Sequence, residues 1–209
     1  MNDAVDAAAN SLGEYTVVID AGHGGIDGGT SAADGTPEKT LNLQIAEKLR
    51  LMLDAMGVKT VMTRSDDDSI HDPSATTIRQ KKISDIKNRL KIIENTDNAV
   101  FVSIHQNHFG DSKYHGTQVF YSKNDPGSKM LAEAVRAQII TNLQKDNTRE
   151  VKQSGTEIYL LYHANVPAVM VECGFLSNAE ETAKLKDEGY QRELAFLTAL
   201  GIVEYLSGR

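Results

Sequence analysis

From Tyr15 onward, short apolar runs alternate with longer amphipathic stretches along the chain. The apolar runs predict buried strands over TVVID (16–20), KTVMT (59–63), AVFVSIH (99–105), TQVFY (117–121) and AVMVE (168–172). Apolar residues between them recur at helical spacing over 41–56, 83–93 and 130–143, and two further helical patterns close the chain, the last over 193–206. This alternation predicts a single α/β domain, a mostly parallel twisted sheet with helices on both faces.

The first helix carries the clearest boundary signals. Thr36 and Pro37 have the residue types of an N-cap and a first helical position, and Gly57 follows the last apolar residue. Upstream, residues 1–14 are polar and Ala-rich, without the basic and apolar regions of a signal peptide. We therefore expect a separate N-terminal segment at 1–14 and a folded domain over 15–209. Both a cytosolic protein and an exported one whose signal or anchor was removed fit this pattern.

Composition excludes several classes of protein. The 209 residues are 40% hydrophobic and 24% charged, which is enough apolar material for a core without disulfides. Cys173 is the only cysteine, so no intrachain disulfide can form. No apolar run approaches the ~20 residues of a membrane-spanning helix. A net charge of −7 argues against nucleic acid as a partner.

Candidate chemistry collects where the predicted strands end. Asp20 and His23 follow the first strand, His105 ends the third, and Glu172 ends the fifth, while Glu38 opens the first helix. Because the carboxyl ends of parallel strands meet at one edge of a sheet, the imidazoles of His23 and His105 and the carboxylates of Glu38 and Glu172 should converge there.

Taken together, these side chains indicate a catalytic metal site, which none of them would indicate alone. Catalytic zinc sites use three ligands of mixed His and Glu type, which His23, Glu38 and His105 would supply for one Zn²⁺ ion. Glu172 lies in an apolar run, and a carboxylate there suits a general base. A phosphate loop is the rival interpretation of the glycines near His23, but their G-x-G-x-x-x-G spacing differs from the dinucleotide fingerprint.

Four segments carry a family resemblance: VVIDAGHGGIDGG, EKTLNLQIAEKL, AVFVSIHQNH and AVMVECGFLSN. In this order they resemble the zinc-dependent N-acetylmuramoyl-L-alanine amidases of the amidase-3 type, over about residues 15–206. The resemblance implies zinc on His23, Glu38 and His105 and a catalytic Glu172. It also implies a peptidoglycan substrate, a glycan strand bearing stem peptides, cut between N-acetylmuramic acid and L-alanine.

The middle of the chain is similar to the sporulation-specific members of that family, through GTQVFY, DNTREVKQ and IYLLYHANVPAVMVECGFLSNAEE. This similarity implies action on spore cortex peptidoglycan, as the first step toward muramic-δ-lactam. It further implies an extracytoplasmic location in a spore-forming bacterium, and several family members need an activator protein. Gln106 and Cys173 depart from the family pattern, and we expect both to alter the substrate groove.

Substrate contacts are expected from Asn107, Arg64 and Arg89, with Lys123 and Arg149 as further local cations for an anionic substrate. Two other functions stay open at this point. One is a non-catalytic peptidoglycan-binding or regulatory domain of the same fold, and the other is a cytosolic nucleotide-binding protein. Zinc content and release of free stem peptide would separate the enzyme from both.

Overall fold

A computed structural model describes residues 12–208 and contains one six-stranded sheet within them. The strands are β1 (Thr16–Ala21), β2 (Lys59–Met62), β3 (Ala99–Asn107), β4 (Gln118–Tyr121), β5 (Lys152–Gln153) and β6 (Ala168–Phe175). Their spatial order is β2-β1-β3-β6-β4-β5. The first four strands of this order pair in parallel, and β4 runs antiparallel to β6. The prediction of a mostly parallel sheet in a single α/β domain is therefore confirmed.

Helices cover both faces of this sheet. Those described are α1 (Glu38–Ala55), α2 (Ile78–Glu94), α3 (Gly127–Asn142), α4 (Tyr159–His163), α5 (Ala179–Lys186) and α6 (Glu188–Ser207). The larger apolar core lies under α1, α3 and α6, and a smaller one lies under α2 and α4. Within residues 12–208, no helix has the length and apolar character needed to cross a membrane.

Because side chains alternate along the strands, the side chains of the larger core and the candidate site residues point to opposite faces of the sheet. In β3, Val102 and Ile104 belong to the larger core, whereas Phe101 belongs to the smaller one. Since successive side chains of a strand point to opposite faces, His105 shares the face of Phe101. In β6, Glu172 shares that face with Met170 in the same way. Both functional side chains thus lie on the face that only α2 and the short α4 cover.

Several boundaries differ from the sequence prediction. Helix α1 begins at Glu38, and Pro37 is its N-cap, with no side-chain cap from Thr36. Helix α2 begins five residues before its apolar pattern, because Thr77 and Gln80 form a capping box there. The two-residue strand β5 and the short helix α4 were not predicted. Most of the predicted 1–14 segment lies outside the described residues.

We predict that Gly201→Ala destabilises the protein, although alanine is normally the better helix former. A Cβ at Gly201 would lie 2.5 Å from the Cα of Val135, where α6 packs against α3. Overpacking of this kind costs about 1–3 kcal/mol, more than the ~1 kcal/mol that helix propensity returns. The urea unfolding midpoint measures the difference. Gly110→Ala is the matched control, because no atom lies within 4 Å of its added Cβ. A gain in stability for Gly201→Ala would contradict the packing argument.

Candidate active site

His23 lies on a tight turn that follows β1. Its backbone has a φ of 63°, in the left-handed region that non-glycine residues rarely adopt, and Gly24 follows with a φ of 137°. Before it, a Cβ on Gly22 would collide with the imidazole ring of His105. Glycine is therefore needed at position 22 for the His105 ring to lie against the turn, and this explains part of the glycine-rich sequence without a phosphate.

Glu38 lies between the two imidazoles. Its Oε2 is 3.2 Å from Nε2 of His23, and its Oε1 is 2.8 Å from Nδ1 of His105. Backbone N–H groups of Thr30 and Gln106 donate to the same carboxylate. One potential ligand atom from each of His23, Glu38 and His105 lies within 4.8 Å of the other two. The structure thus brings together the three side chains that the sequence predicted as ligands, and a mixed His and Glu donor set of this size fits zinc.

The Glu38 carboxylate and the neighbouring imidazoles each favour the charged form of the other. Burial would raise the pKa of Glu38, but the two imidazoles outweigh it and hold that pKa well below its usual range. Burial would likewise lower the pKa of His23, but hydrogen bonds to Asp27 and Glu38 raise it to about 9. Glu38 is therefore an anion at the centre of the cluster and attracts positive charge to this point.

Asp27 is a candidate site residue that the sequence analysis did not single out. Its Oδ2 lies 3.0 Å from Nδ1 of His23, and its Oδ1 accepts a hydrogen bond from Nζ of Lys82 at 2.7 Å. A carboxylate on one ring nitrogen fixes the orientation of the imidazole and leaves the other nitrogen for a metal. In the sequence, Asp27 is visible only as an acidic residue four positions after His23. That position by itself indicates only that a pyrophosphate would bind poorly there.

Glu172 lies next to the histidines, directly opposite His105 in the pairing of β3 with β6. Its Oε2 is buried and has no hydrogen-bond partner among the described residues. Burial raises the pKa of Glu172 to about 7, a value suited to taking and returning a proton near neutral pH.

A cavity of about 320 Å³ opens over this group. Its lining includes His23, His105, Glu172, Lys82, Ile86 and Tyr159. The cavity lies on the face that the short helix α4 covers incompletely, so a substrate can approach His23, His105 and Glu172 from solvent. Three ligand-type donors beside an unpaired carboxylate of raised pKa form an arrangement able to activate water.

Arg64 and Arg89 are both buried beside the turn that follows β1. They are only 4% and 2% exposed, and their guanidinium groups donate to backbone carbonyls of the turn, at Ala21, Gly22 and His23. Arg89 also lines the cavity beside His23, His105 and Glu172. Substrate contact by Arg64 and Arg89 therefore stays a prediction. Their charge is used inside the fold, where it holds the backbone that carries His23.

A buried carboxylate anchors one of these arginines. Nη1 of Arg89 lies 2.5 Å from Oδ1 of Asp20, and the hydroxyls of Thr63 and Ser103 donate to the same carboxylate. Burial would raise the pKa of Asp20, but Arg89, His105 and the two hydroxyl donors together outweigh it and lower that pKa to about 2. Nε of Arg89 also pairs with Asp85, one turn earlier on α2. The turn is thereby tied to the helix on its own face of the sheet.

Gln106 and Cys173 do not border the cavity, contrary to expectation. Each follows a site residue by one position, so its side chain points to the opposite face of the sheet. Nε2 of Gln106 donates to Asn42 at 3.2 Å, beneath the cluster. Cys173 is 1% exposed, and burial raises the pKa of its thiol, which removes it as a nucleophile.

Asn107, the other expected substrate contact, and three further histidines lie at the surface or near the site. Asn107 is half-buried at the end of β3, and none of the hydrogen bonds among residues 12–208 uses its side chain. His108, His115 and His163 are exposed, and none of them belongs to the ligand group.

The fold and this rim of imidazoles and carboxylates are those of a hydrolytic enzyme. The model of the N-acetylmuramoyl-L-alanine amidase family, Amidase_3, matches residues 17–204, and the chain belongs to this family. The enzyme is accordingly an amidase of cell-wall peptidoglycan.

Individual relatives are consistent with this assignment. The germination-specific N-acetylmuramoyl-L-alanine amidase of Bacillus subtilis is 29% identical over 206 residues, covering 99% of this chain and 86% of the relative. The CwlD amidase from Clostridioides difficile, solved in complex with the GerS lipoprotein, is 44% identical with a TM-score of 0.89, covering 93% of this chain and 100% of that one. The catalytic domain of CwlV from Paenibacillus polymyxa is 35% identical with a TM-score of 0.76, covering 93% and 99%.

We predict that Arg89→Met destabilises the protein by about 3–5 kcal/mol, the range for breaking a buried ion pair and leaving one charge unpaired. The substitution leaves the Asp20 carboxylate buried and removes the donors to Ala21 and His23. Chemical denaturation measures the loss. Arg79→Met, an exposed arginine of the same helix, is the control and should change stability little. Equal stability of the two variants would show that the buried arginine is dispensable.

Proposed function

We propose that this chain is a zinc-dependent N-acetylmuramoyl-L-alanine amidase. In this proposal, His23, Glu38 and His105 hold one zinc ion, and Glu172 is the general base. The observation that carries the proposal is the convergence of three ligand-type atoms within 4.8 Å beside the unpartnered Oε2 of Glu172. The side chains come from a turn, a helix start and two strands that are distant in sequence.

The donor chemistry supports zinc. Two imidazoles and one carboxylate match the ligand types of catalytic zinc hydrolases, which keep one further position open. Asp27 and the backbone donors around Glu38 would orient the ligands, as the hydrogen-bond partners of metal ligands do in known zinc sites. When bound there, zinc supplies Lewis-acid activation of water and of the scissile carbonyl.

Glu172 would move the proton in this reaction. As a base, its carboxylate takes a proton from the attacking water, and as an acid it returns that proton to the departing amine of L-alanine. The raised pKa of Glu172, about 7, supports a group that alternates between both forms near neutral pH. The products are a free stem peptide and a glycan whose lactyl carboxylate is exposed. Asn107, two residues beyond His105 and with a side chain free of hydrogen bonds among residues 12–208, remains the proposed substrate contact.

The biological setting is proposed from the relatives. The similarity to a germination-specific amidase and to CwlD supports action on spore cortex peptidoglycan in a spore-forming bacterium, outside the cytoplasm. There the exposed lactyl carboxylate is the group that later closure to muramic-δ-lactam requires. Because the CwlD structure contains the GerS lipoprotein, we further infer that an activator protein binds this chain.

We predict that His23→Ala and His105→Ala each sharply lower zinc occupancy, because each removes one of three ligands. His108→Ala and His163→Ala are the controls and should keep full occupancy, since both residues are exposed and outside the ligand group. Metal analysis of the purified variants gives the result directly. Chelation of the wild type should lower its thermal stability, because a ligand of the folded state stabilises that state. Full zinc content in the His105 variant would refute the ligand assignment.

We predict that Glu172→Gln binds zinc fully but loses about 10²–10⁴ in turnover, the range for one acid–base group. Glutamine keeps the shape and can hydrogen-bond, yet it cannot carry the proton at neutral pH. Zinc content and release of stem peptide should be measured on the same preparation. Cys173→Ser is the control one residue away and should keep its turnover, because its side chain is on the other face. Loss of zinc from Glu172→Gln would make Glu172 a ligand, and normal turnover would remove it from the mechanism.

A further inference from the structure

A second cleft, of about 390 Å³, lies beyond the catalytic cavity at the β4–β5 side of the sheet. Its charged lining residues are Lys113, Arg149, Lys152, Asp146 and Glu150. Glu150 already pairs with Arg136 at 3.1 Å, and Lys113 pairs with Asp111 at 2.9 Å. Arg149 and Lys152 make no ion pair among residues 12–208. Asp146 lies 4.0 Å from the ring of His115 and offsets part of this charge. The cleft therefore keeps a small excess of positive charge on a protein that is acidic as a whole.

Arg149 is held in one orientation by its surroundings. Its Nε donates to the carbonyl of His115 at 2.8 Å, and its guanidinium carbon lies 4.6 Å from the centre of the Phe175 ring and 5.7 Å from that of Tyr114. None of the hydrogen bonds among the described residues uses its two terminal nitrogens. A guanidinium oriented by aromatic rings with a free pair of donors is preorganised to bind a carboxylate through two hydrogen bonds.

Gln118 provides an independent sign of a missing ligand. It lines the same cleft, is 2% exposed, and donates through Nε2 to the carbonyl of Glu150 at 2.5 Å. Its Oε1 is buried without any hydrogen-bond partner among the described residues. A buried acceptor left unpaired is costly, and a peptide N–H is the kind of donor that would satisfy it.

The topology joins this cleft to the catalytic centre. Gln118 lies directly opposite Glu172 in the pairing of β4 with β6, and Phe175 is on the same strand as Glu172. The strand order places His23 and His105 on one side of Glu172 and the cleft on the other. A substrate with its scissile bond at Glu172 would therefore extend one of its two halves, glycan or peptide, into the cleft.

We propose that this cleft is the subsite for the stem peptide, with Arg149 binding a peptide carboxylate and Gln118 accepting a peptide N–H. The inference rests on the proposed amidase function and adds a determinant of its specificity. The positive charge of Arg149 favours the peptide half of the substrate over the glycan half. Free carboxylates are carried by the stem peptide, whereas the lactyl carboxyl of the glycan is tied up in the amide until cleavage.

The test compares two substrates that differ only in charge. One is N-acetylmuramoyl-L-alanyl-D-glutamate with free carboxylates, and the other has both converted to carboxamides. Arg149→Met should lower kcat/KM for the carboxylate substrate by about tenfold to a hundredfold, the range for a lost charge-assisted hydrogen bond, mainly through KM. The carboxamide should be unaffected, and Arg149→Lys should rescue part of the loss. Lys129→Met, an exposed lysine of α3, is the control that should change neither value.

Binding of the free dipeptide L-alanyl-D-glutamate and of its diamide, followed by NMR titration, tests the cleft without turnover. The wild type should prefer the carboxylate form, and Arg149→Met should abolish the preference. Equal losses on both substrates, or no preference in the wild type, would overturn the subsite. If the wild type hydrolyses neither substrate but still binds the carboxylate dipeptide through Arg149, the proposed function fails while the subsite stands.

Discussion

The buried ion pair between Asp20 and Arg89 supports the rest of the site. It lies beneath the turn after β1, and the same guanidinium holds the carbonyls of Ala21 and His23. Without these donors, the carbonyl of His23 would lose its guanidinium partner, and the left-handed backbone between two glycines would be held mainly by Arg64 and by the ring contacts of His23. Burying two charges is costly, and here that cost is offset by hydrogen bonds from Thr63 and Ser103 to the carboxylate. Buried polar groups inside the fold thus fix the positions of the site side chains at the edge of the sheet.

A second constraint is the two-residue period of the strands. It places the imidazole of His105 and the carboxylate of Glu172 on one face, and the side chains of Gln106 and Cys173 on the other. Buried aliphatic side chains on that other face fix the strand register. A slip by one residue would turn the reactive groups into the core and the core side chains toward the site. The larger core therefore stabilises the protein and also specifies which side chains meet the substrate.

Much of this could be predicted from the sequence, for identifiable reasons. Parallel strands must end at one edge, so polar residues that directly follow apolar runs point to His23, His105 and Glu172. The hydrogen bonds of Arg64 and Arg89 to the turn could not be predicted, because sequence alone cannot distinguish a cation that binds substrate from one that binds backbone carbonyls. Asp27 was missed because its role depends on the fold of one turn. Gln118 gave no signal at all, since an unpaired acceptor is visible only once its neighbours are in place.

The burial of Cys173 has a consequence for how the protein can be studied. The only thiol in the sequence lies in the larger core, on the strand that also carries Glu172. An alkylating reagent can reach it only when β6 separates from its neighbours, so the rate of modification reports the free energy of that opening. The chain thus carries a single chemical reporter of local unfolding one residue from the proposed catalytic base. Ligands that close the site from β1 to β6 should slow its labelling, whereas those that bind elsewhere on the surface should leave it unchanged.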